Sequence, residues 1–413
     1  MKFPTARRAS SVSAALAALA LLAGCSDANK PKPRPVTTSP VIPTLGAGEA
    51  TERYTSELTV RGGYAYTASW GTRAGVRGNA VKIWNVVAAK PVLVDSLIVP
   101  PYTPAAPAVT TTGDIQVSDD GTLLAIATER FGGSLALYSL ADPAHPALLS
   151  QFHSSDTDPG VHTAEISRVR GTLYAFLSID PSGVAIPAKL VVLDLSDPTR
   201  PVQLLARVMG QPFVHDVFVR DSLLFTALWD DGLSIWDIGG SRGGSPANPV
   251  FISNVRTLGG EVHNVWWFND PASGNKQFVF VGQEGPATLF SQTSGDIHVV
   301  DISTLTAPRE VAMYTLSGAG THNFSVDEAS GVLYAAYYNG GVRALDVRGD
   351  LGSCTSSARL PDGRCSLSLA GRELGHALDA GNFIWGVQWL GNRVYASDMI
   401  HGLWTLDVSS LRR

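Results

Sequence analysis

The sequence predicts an all-β fold, a seven-bladed β-propeller of four-stranded antiparallel blades. The first reason is a motif that recurs seven times, in which an apolar run leads to an acid or a polar substitute. The position of this acid advances from residue 85 to residue 407 in six steps of about 54 residues. The second reason is that the surrounding stretches alternate apolar and polar residues and are rich in β-branched and aromatic types, as strands are. Repeats of this length fit the blades of a propeller.

Each copy of the motif is predicted to be the third strand, C, of one blade. The seven copies are Val81–Val86, Leu135–Leu140, Leu190–Leu195, Leu233–Ile238, Ile297–Ile302, Val342–Val347 and Leu403–Val408. Hairpin patterns upstream, such as Val217–Phe225, provide strands A and B. Downstream runs such as Pro201–Leu205 provide strand D.

The two ends of the chain predict a closed ring. The seventh repeat stops after strand C, and Pro40–Leu45 resembles a strand D. We expect this segment to complete the last blade, which removes an open sheet edge. An open solenoid is the main alternative, but it needs capping repeats. Beyond the N-terminal segment we find no convincing run with helical periodicity.

The N-terminal segment has the organisation of an export signal. Basic residues precede the apolar stretch Val12–Ala23, which is too short to span a bilayer. The following Leu22–Cys25 resembles the lipobox of bacterial lipoproteins. That resemblance implies cleavage before Cys25 and acylation of this residue. An ordinary secretory signal with a chance cysteine is the alternative.

This interpretation divides the chain into a signal peptide at 1–24, a lipid-anchor cysteine with a Pro-rich tether at 25–50, and the propeller at 51–413. The protein is then expected in the bacterial cell envelope, anchored to the membrane without spanning it. Ser26 after the cysteine suggests the outer membrane or the cell surface.

Composition excludes two classes of function. The 413 residues carry 31 Lys+Arg against 36 Asp+Glu, a net charge of −5, and 45% are hydrophobic. A disordered chain would be poorer in apolar residues, and a nucleic-acid partner would call for a basic excess. We expect a monomer whose partners are the membrane and a protein, peptide or glycan ligand.

Three cysteines are present, and the two outside the N-terminal segment are Cys354 and Cys365. An exported chain meets oxidising conditions, so we expect these two to form a disulfide across a surface loop. No nearby histidine or cysteine completes a metal site with them.

The repeats resemble the LVIVD-repeat family of bacterial surface propellers. Leu190–Asp194 is close to the pentapeptide that gives the family its name, and the resemblance extends over roughly residues 54–408. Blades 1 and 2 depart from it, with Asn85 and Ser139 in place of the acid. The resemblance implies a surface location and no assigned reaction.

The candidate site is a histidine position at the start of strand A. His215, His263 and His322 occupy it in blades 4, 5 and 6. The same register assigns Ser56, Gly113, Glu165 and Trp385 to blades 1, 2, 3 and 7, with His162 just upstream of Glu165. Three imidazoles near the axis, completed by Glu165 or His162, could bind a divalent transition metal.

Other interpretations of these residues stay open. Each histidine is followed by Asp or Asn and could instead cap the entry to its strand. The remaining histidines lack the register; His145, His153, His298 and His376 are expected to be structural or on the surface, and His401 at the rim. Three strand B to strand C loops, at residues 69–80, 179–189 and 282–295, are long and would crowd the same face.

Two functions follow from the sequence. The first is a membrane-anchored binding or scaffold module that uses the face carrying the histidines. The second is a metal-dependent oxidoreductase or hydrolase built on the histidine cluster. We find no P-loop, no GxSxG elbow and no HExxH motif. The binding module is favoured because no catalytic acid, base or nucleophile stands out, and the identity of any cofactor is unknown.

Overall fold

The structure is a computed structural model, and it describes residues 39–102, 110–179, 188–210 and 213–412. It confirms the seven-bladed propeller with four-stranded antiparallel blades. The predicted signal peptide and the lipidated Cys25 lie outside the described residues. Among those described, no helix has the length and apolar character needed to cross a membrane.

Strand A of each blade is the innermost and strand D the outermost. Blade 1 comprises Tyr54–Arg61, Tyr64–Trp70, Ala80–Asn85 and Val92–Ile98, and blade 2 comprises Thr111–Val117, Leu123–Glu129, Ser134–Ser139 and Ala147–Phe152. Blade 3 comprises Thr163–Val169, Thr172–Ile179, Lys189–Asp194 and Val202–Val208, and blade 4 comprises Asp216–Arg220, Leu223–Ala227, Leu233–Asp237 and Val250–Val255.

The remaining blades follow the same order. Blade 5 comprises Val262–Trp267, Phe278–Gln283, Ile297–Asp301 and Arg309–Tyr314, and blade 6 comprises Phe324–Asp327, Val332–Ala336, Val342–Asp346 and Glu373–Ala377. Strands A to C of blade 7 are Ile384–Leu390, Arg393–Asp398 and Gly402–Asp407. The smaller elements are the hairpin of Thr72–Arg73 with Val76–Arg77, strand Cys365–Ser366, and the 3₁₀ helices Ser356–Ala358 and Ser409–Leu411.

Closure occurs as expected, but with a different segment. Strand D of blade 7 is Thr44–Glu49, which pairs antiparallel with strand C, rather than Pro40–Leu45. Val41 instead bridges to His376 on the outer strand of blade 6. The propeller therefore begins before the predicted boundary at residue 51, and residues 44–49 are not part of a tether.

Blade 5 departs from the four-strand pattern. Cys365–Ser366 adds a fifth, parallel strand beside Arg309–Tyr314. The predicted disulfide between Cys354 and Cys365 is confirmed, with the two Cα atoms 5.9 Å apart. The insertion between strands C and D of blade 6 thus covers the outer edge of the preceding blade.

The core lies between the blades. Within the described chain, each of the seven blade junctions holds one cluster of buried apolar side chains. Trp84, Trp236 and Trp404 pack at three of these junctions, as predicted for tryptophans on strand C. Hydrogen bonds add to this packing. For example, Gln388 of blade 7 accepts from the backbone N–H of Val60 in blade 1 at 2.5 Å.

Candidate functional site

An arc of rings in tilted and edge-to-face contact lines one end of the axial channel, called here the top. Four histidines and one tryptophan form it, in the order His162, His215, His263, His322 and Trp385. The centroids of neighbouring rings are 4.2, 4.2, 4.1 and 4.5 Å apart. We call the four imidazoles the histidine arc. Blades 3 to 6 each contribute one.

The backbone places these rings in two different ways. His162, His215 and His322 donate their backbone N–H to a carbonyl at or next to the end of strand B in the same blade, at 2.8 to 2.9 Å. His263 and Trp385 sit at β-bulges, where strand A has one residue that strand B does not pair. A bulge turns the side chain of the extra residue away from the regular alternation. Here the turned side chain joins the arc.

Glu165, one of the predicted ligands, does not join the arc. Strand A of blade 3 is two residues longer than that of blade 4, so His162 takes the position expected for Glu165. Counted from the hairpin turn, Glu165 matches Asp216 instead. Its carboxyl group accepts hydrogen bonds from Gln116 and Ser167.

Two carboxylates that the sequence analysis missed face the arc. Glu129, at the end of strand B in blade 2, lies 3.2 Å from Nδ1 of His162 and accepts a 3.0 Å bond from Nε1 of Trp70. Glu284, at the start of the long loop of blade 5, places Oε2 3.9 Å from Nε2 of His215 and 3.7 Å from Nε2 of His263. Neither carboxylate has a repeat position that would mark it in the sequence.

Burial favours the uncharged form of His215, His263 and His322. Desolvation, together with the neighbouring histidines, holds the pKa values of His215 and His263 well below the usual range. Desolvation also lowers the pKa of His322 to about 3. Neutral imidazole is the form that binds metal ions.

The hydrogen bonds of the arc leave ring nitrogens available. His322 Nδ1 bonds the carbonyl of Trp385 at 2.7 Å, so Nδ1 carries the proton and Nε2 the lone pair. Both ring nitrogens of His263 lack a hydrogen-bond partner within the part of the chain that the structure describes, although this residue is only 2% exposed. A buried N–H without a partner costs about 1–3 kcal/mol. The arc is therefore not explained as strand capping alone.

The donor atoms have the spacing of a coordination shell. Those of His215, His263 and Glu284 all lie within 4.8 Å of one another. Nε2 of His162 and Nε2 of His215 are 3.0 Å apart and form a hydrogen bond with each other, which a metal bound to both nitrogens would replace. Metal–nitrogen bonds of about 2.0–2.1 Å place donor atoms roughly 3–4 Å apart. These residues could hold one divalent transition metal.

A second, acidic layer lies below the arc. Glu57, Asp114, Glu165 and Asp216 line a cavity of about 400 Å³ that opens at the bottom of the channel. Burial and the charge of Asp114 raise the pKa of Glu57 to about 8. Burial likewise raises the pKa of Glu165 to about 7. The acids also join the blades, since Asp114 accepts from the backbone N–H of Ala164 at 2.7 Å.

An aromatic roof covers the top end. It is formed by the loop of residues 284–296, which leaves blade 5 and reaches towards blades 7 and 1. Phe290 in this loop lies 5.0 Å from Tyr54 and 5.3 Å from Phe383, measured between ring centroids. The predicted crowding of this face is confirmed here. Much of the loop expected at 179–189 lies outside the described residues.

The other histidines lie outside the arc, as expected. His145 is exposed and pairs with Asp95, whereas His298 is buried and bonds Glu310 at 2.8 Å. His401, in the turn between strands B and C of blade 7, bonds Asp398 at 2.7 Å.

Comparisons with known proteins support the repeat assignment. The family model of the LVIVD repeat matches residues 52–72, 184–207 and 292–315. A search of curated proteins finds no significant match.

Solved structures share the fold at low identity. The C-terminal WD40 domain of Sif2 is 10% identical with a TM-score of 0.57, covering 89% of this chain and 99% of that chain. The WD40 repeats of RRP9 are 12% identical with a TM-score of 0.59, covering 90% and 99%. At these identities the likeness concerns the fold alone. The chain is thus a seven-bladed β-propeller that carries LVIVD repeats.

Proposed function

We propose that this propeller is an exported, membrane-anchored binding module whose top face binds its ligand through a divalent transition metal held by the histidine arc. One observation carries the proposal: His263 is buried among imidazoles, and neither of its ring nitrogens makes a hydrogen bond in the described structure, the carboxylate of Glu284 lying 3.7 Å from Nε2. A metal ion would satisfy one of them and bring the donors of His162, His215 and Glu284 into the same shell. Imidazole ligands suit zinc, copper, iron or nickel.

The position of the site supports a role in recognition. It lies at the mouth of the channel, beneath an aromatic roof with Leu289 and Phe290 partly exposed to solvent. A metal there would offer an incoming ligand one coordination position with apolar surface beside it. Ligand sites of this kind combine few polar groups with an apolar lining.

The same cluster supports a second candidate, a metal-dependent oxidoreductase or hydrolase. A metal with an exchangeable position lowers the pKa of bound water. Turnover of a substrate that disappears with the metal would favour this candidate. Ligand binding without turnover favours the module.

Zinc titration of full-length protein in detergent, after removal of metal with a chelator, tests the metal site. We expect about one zinc per chain, with binding lost in His263→Phe, which keeps an aromatic ring in the stack. His145→Phe, the same substitution at an exposed surface site, should bind zinc as the wild type does. Near-ultraviolet circular dichroism checks that each variant is folded. Wild-type protein that binds no metal, or a His263→Phe variant that binds it equally well, would contradict the proposal.

Export and anchoring have their own test. They are supported by the lipobox-like Leu22–Cys25 and the proline-rich stretch that follows it. In a bacterial host grown with a labelled fatty acid, the wild type should incorporate label and sediment with membranes. Cys25→Ser should do neither. Wild-type protein that incorporates no labelled fatty acid would refute the lipid anchor. The metal-site proposal does not depend on this result.

A further inference from the structure

The loop of residues 284–296 connects the metal-site candidate to the top surface. Its first residue, Glu284, faces His215 and His263. Its base is tied by the backbone bond from Gly285 N–H to the Ser294 carbonyl at 2.9 Å. Its tip is held by the ring contacts of Phe290 described above. We call this segment the roof loop.

The closed site has little room. The cavity beside the arc measures about 50 Å³, and besides the five rings it is lined by Glu57, Asp114 and Asp216 of the acidic layer. It has room for a metal ion with a few water molecules, since one water needs roughly 10–15 Å³ of such space. A ligand that takes the place of Glu284 beside His215 and His263 must displace the part of the roof loop that carries this residue.

The surroundings of Glu284 suit a carboxylate group, because each of its two oxygens faces a different partner. The hydroxyl of Tyr338, from the turn between strands B and C of blade 6, donates to Oε1 of Glu284 at 2.5 Å. Oε2 faces the imidazoles. If Glu284 withdraws, the phenol donor and the metal remain, separated by the span of one carboxylate group. Imidazole binds a metal ion as a neutral ligand, so an anion at this position also balances the charge of the ion.

We propose that the ligand of this site is a carboxylate that replaces Glu284 on the metal when the roof loop lifts. In the exchange one metal–oxygen bond to Glu284 breaks and one to the incoming carboxylate forms, with no change in charge. Tyr338 then donates to the bound ligand instead of to Glu284. This inference rests on the proposed metal site.

Chemical rescue of full-length Glu284→Ala tests the inference. We expect zinc affinity to fall at least tenfold, because one anionic donor is lost, and to recover in a saturable way as acetate or formate is added. Adding chloride at the same ionic strength should not restore it. The double variant Glu284→Ala with Tyr338→Phe should need more acetate for the same recovery.

Matched controls separate this inference from the metal site itself. Gln292→Ala changes an exposed side chain in the same loop and should bind zinc as the wild type does, with no response to acetate. If Glu284→Ala binds zinc with wild-type affinity, or acetate has no effect on it, the carboxylate exchange is refuted while the metal site stands. If wild-type protein binds no zinc, the proposed function itself has failed.

Discussion

Individual side chains in the axial channel are kept uncharged by burial. His215 and His263 at the top have lowered pKa values, and Glu57 and Glu165 below them have raised ones. Both shifts have the same cause, because desolvation disfavours the charged form of any group. Burial in the channel therefore opposes protonation of these imidazoles and ionisation of these acids.

The burial of Glu57 makes the stability of the protein depend on pH in a way that can be measured. Its pKa is about 8 in the folded protein against 4.5 for a free side chain, so the folded state holds a proton that the unfolded state releases. Stability from this group is present below pH 4.5 and is lost as the pH rises towards 8. Glu57→Gln cannot titrate. The unfolding free energy of Glu57→Gln minus that of the wild type should therefore increase between pH 5 and pH 8, by up to about 4 kcal/mol.

Urea unfolding at several pH values checks this prediction. Glu49→Gln, at an exposed position on strand D of blade 7, should show no such trend. A difference between Glu57→Gln and wild type that stays flat from pH 5 to pH 8 would show that Glu57 is not held protonated.

At the scale of elements, the ring is closed by a strand from the start of the chain. Gly48 in this strand lies over the indole of Trp84 in blade 1, and a Cβ atom built at Gly48 would come within 2.5 Å of that ring. The glycine therefore lets strand D of blade 7 approach the neighbouring blade. The close approach joins the first and last parts of the propeller.

Gly48→Ala should destabilise the protein by about 1–3 kcal/mol, since overpacking forces the indole or the strand to shift. The midpoint of urea unfolding reports it. Glu49→Ala, one residue further along with an exposed side chain, should change stability by less than about 0.5 kcal/mol. Equal effects of the two substitutions would mean that Gly48 does not set this contact.

The insertion of blade 6 is a second element that joins blades. Its disulfide holds the fifth strand against blade 5. Replacing both Cys354 and Cys365 with Ala should lower the unfolding free energy by about 2–3 kcal/mol, mainly by freeing the unfolded chain. A reductant should bring the wild type down to the same value and leave the double variant unchanged. A wild type that does not respond to reductant would contradict this role.

At the scale of the whole molecule, the ring brings together residues that are far apart in sequence. His162 and His322 meet in one arc because each blade repeats the same inner strand, so repeat register predicts the arc and the fold. Glu129 and Glu284 could not be predicted, since each lies at a strand end or in a loop with no counterpart in other blades. Counting from the hairpin turn matches Glu165 with Asp216, but the extra length of strand A in blade 3, which brings His162 into the arc, cannot be read from that pattern.

The closing segment illustrates the same limit. Pro40–Leu45 has the composition of an outer strand, but the chain pairs Thr44–Glu49 with blade 7 and uses Val41 against blade 6. Local pattern predicts that a strand exists there. Its register depends on contacts with two different blades, which no single stretch of sequence contains.

Anomalous X-ray scattering from crystals of the full chain grown with zinc tests the central claim most directly. The account predicts a single strong peak at the zinc edge in the top end of the channel, about 2.0–2.2 Å from ring nitrogens of His215 and His263 and from an oxygen of Glu284. A histidine arc with no peak, in crystals where zinc appears only at surface residues, would contradict it.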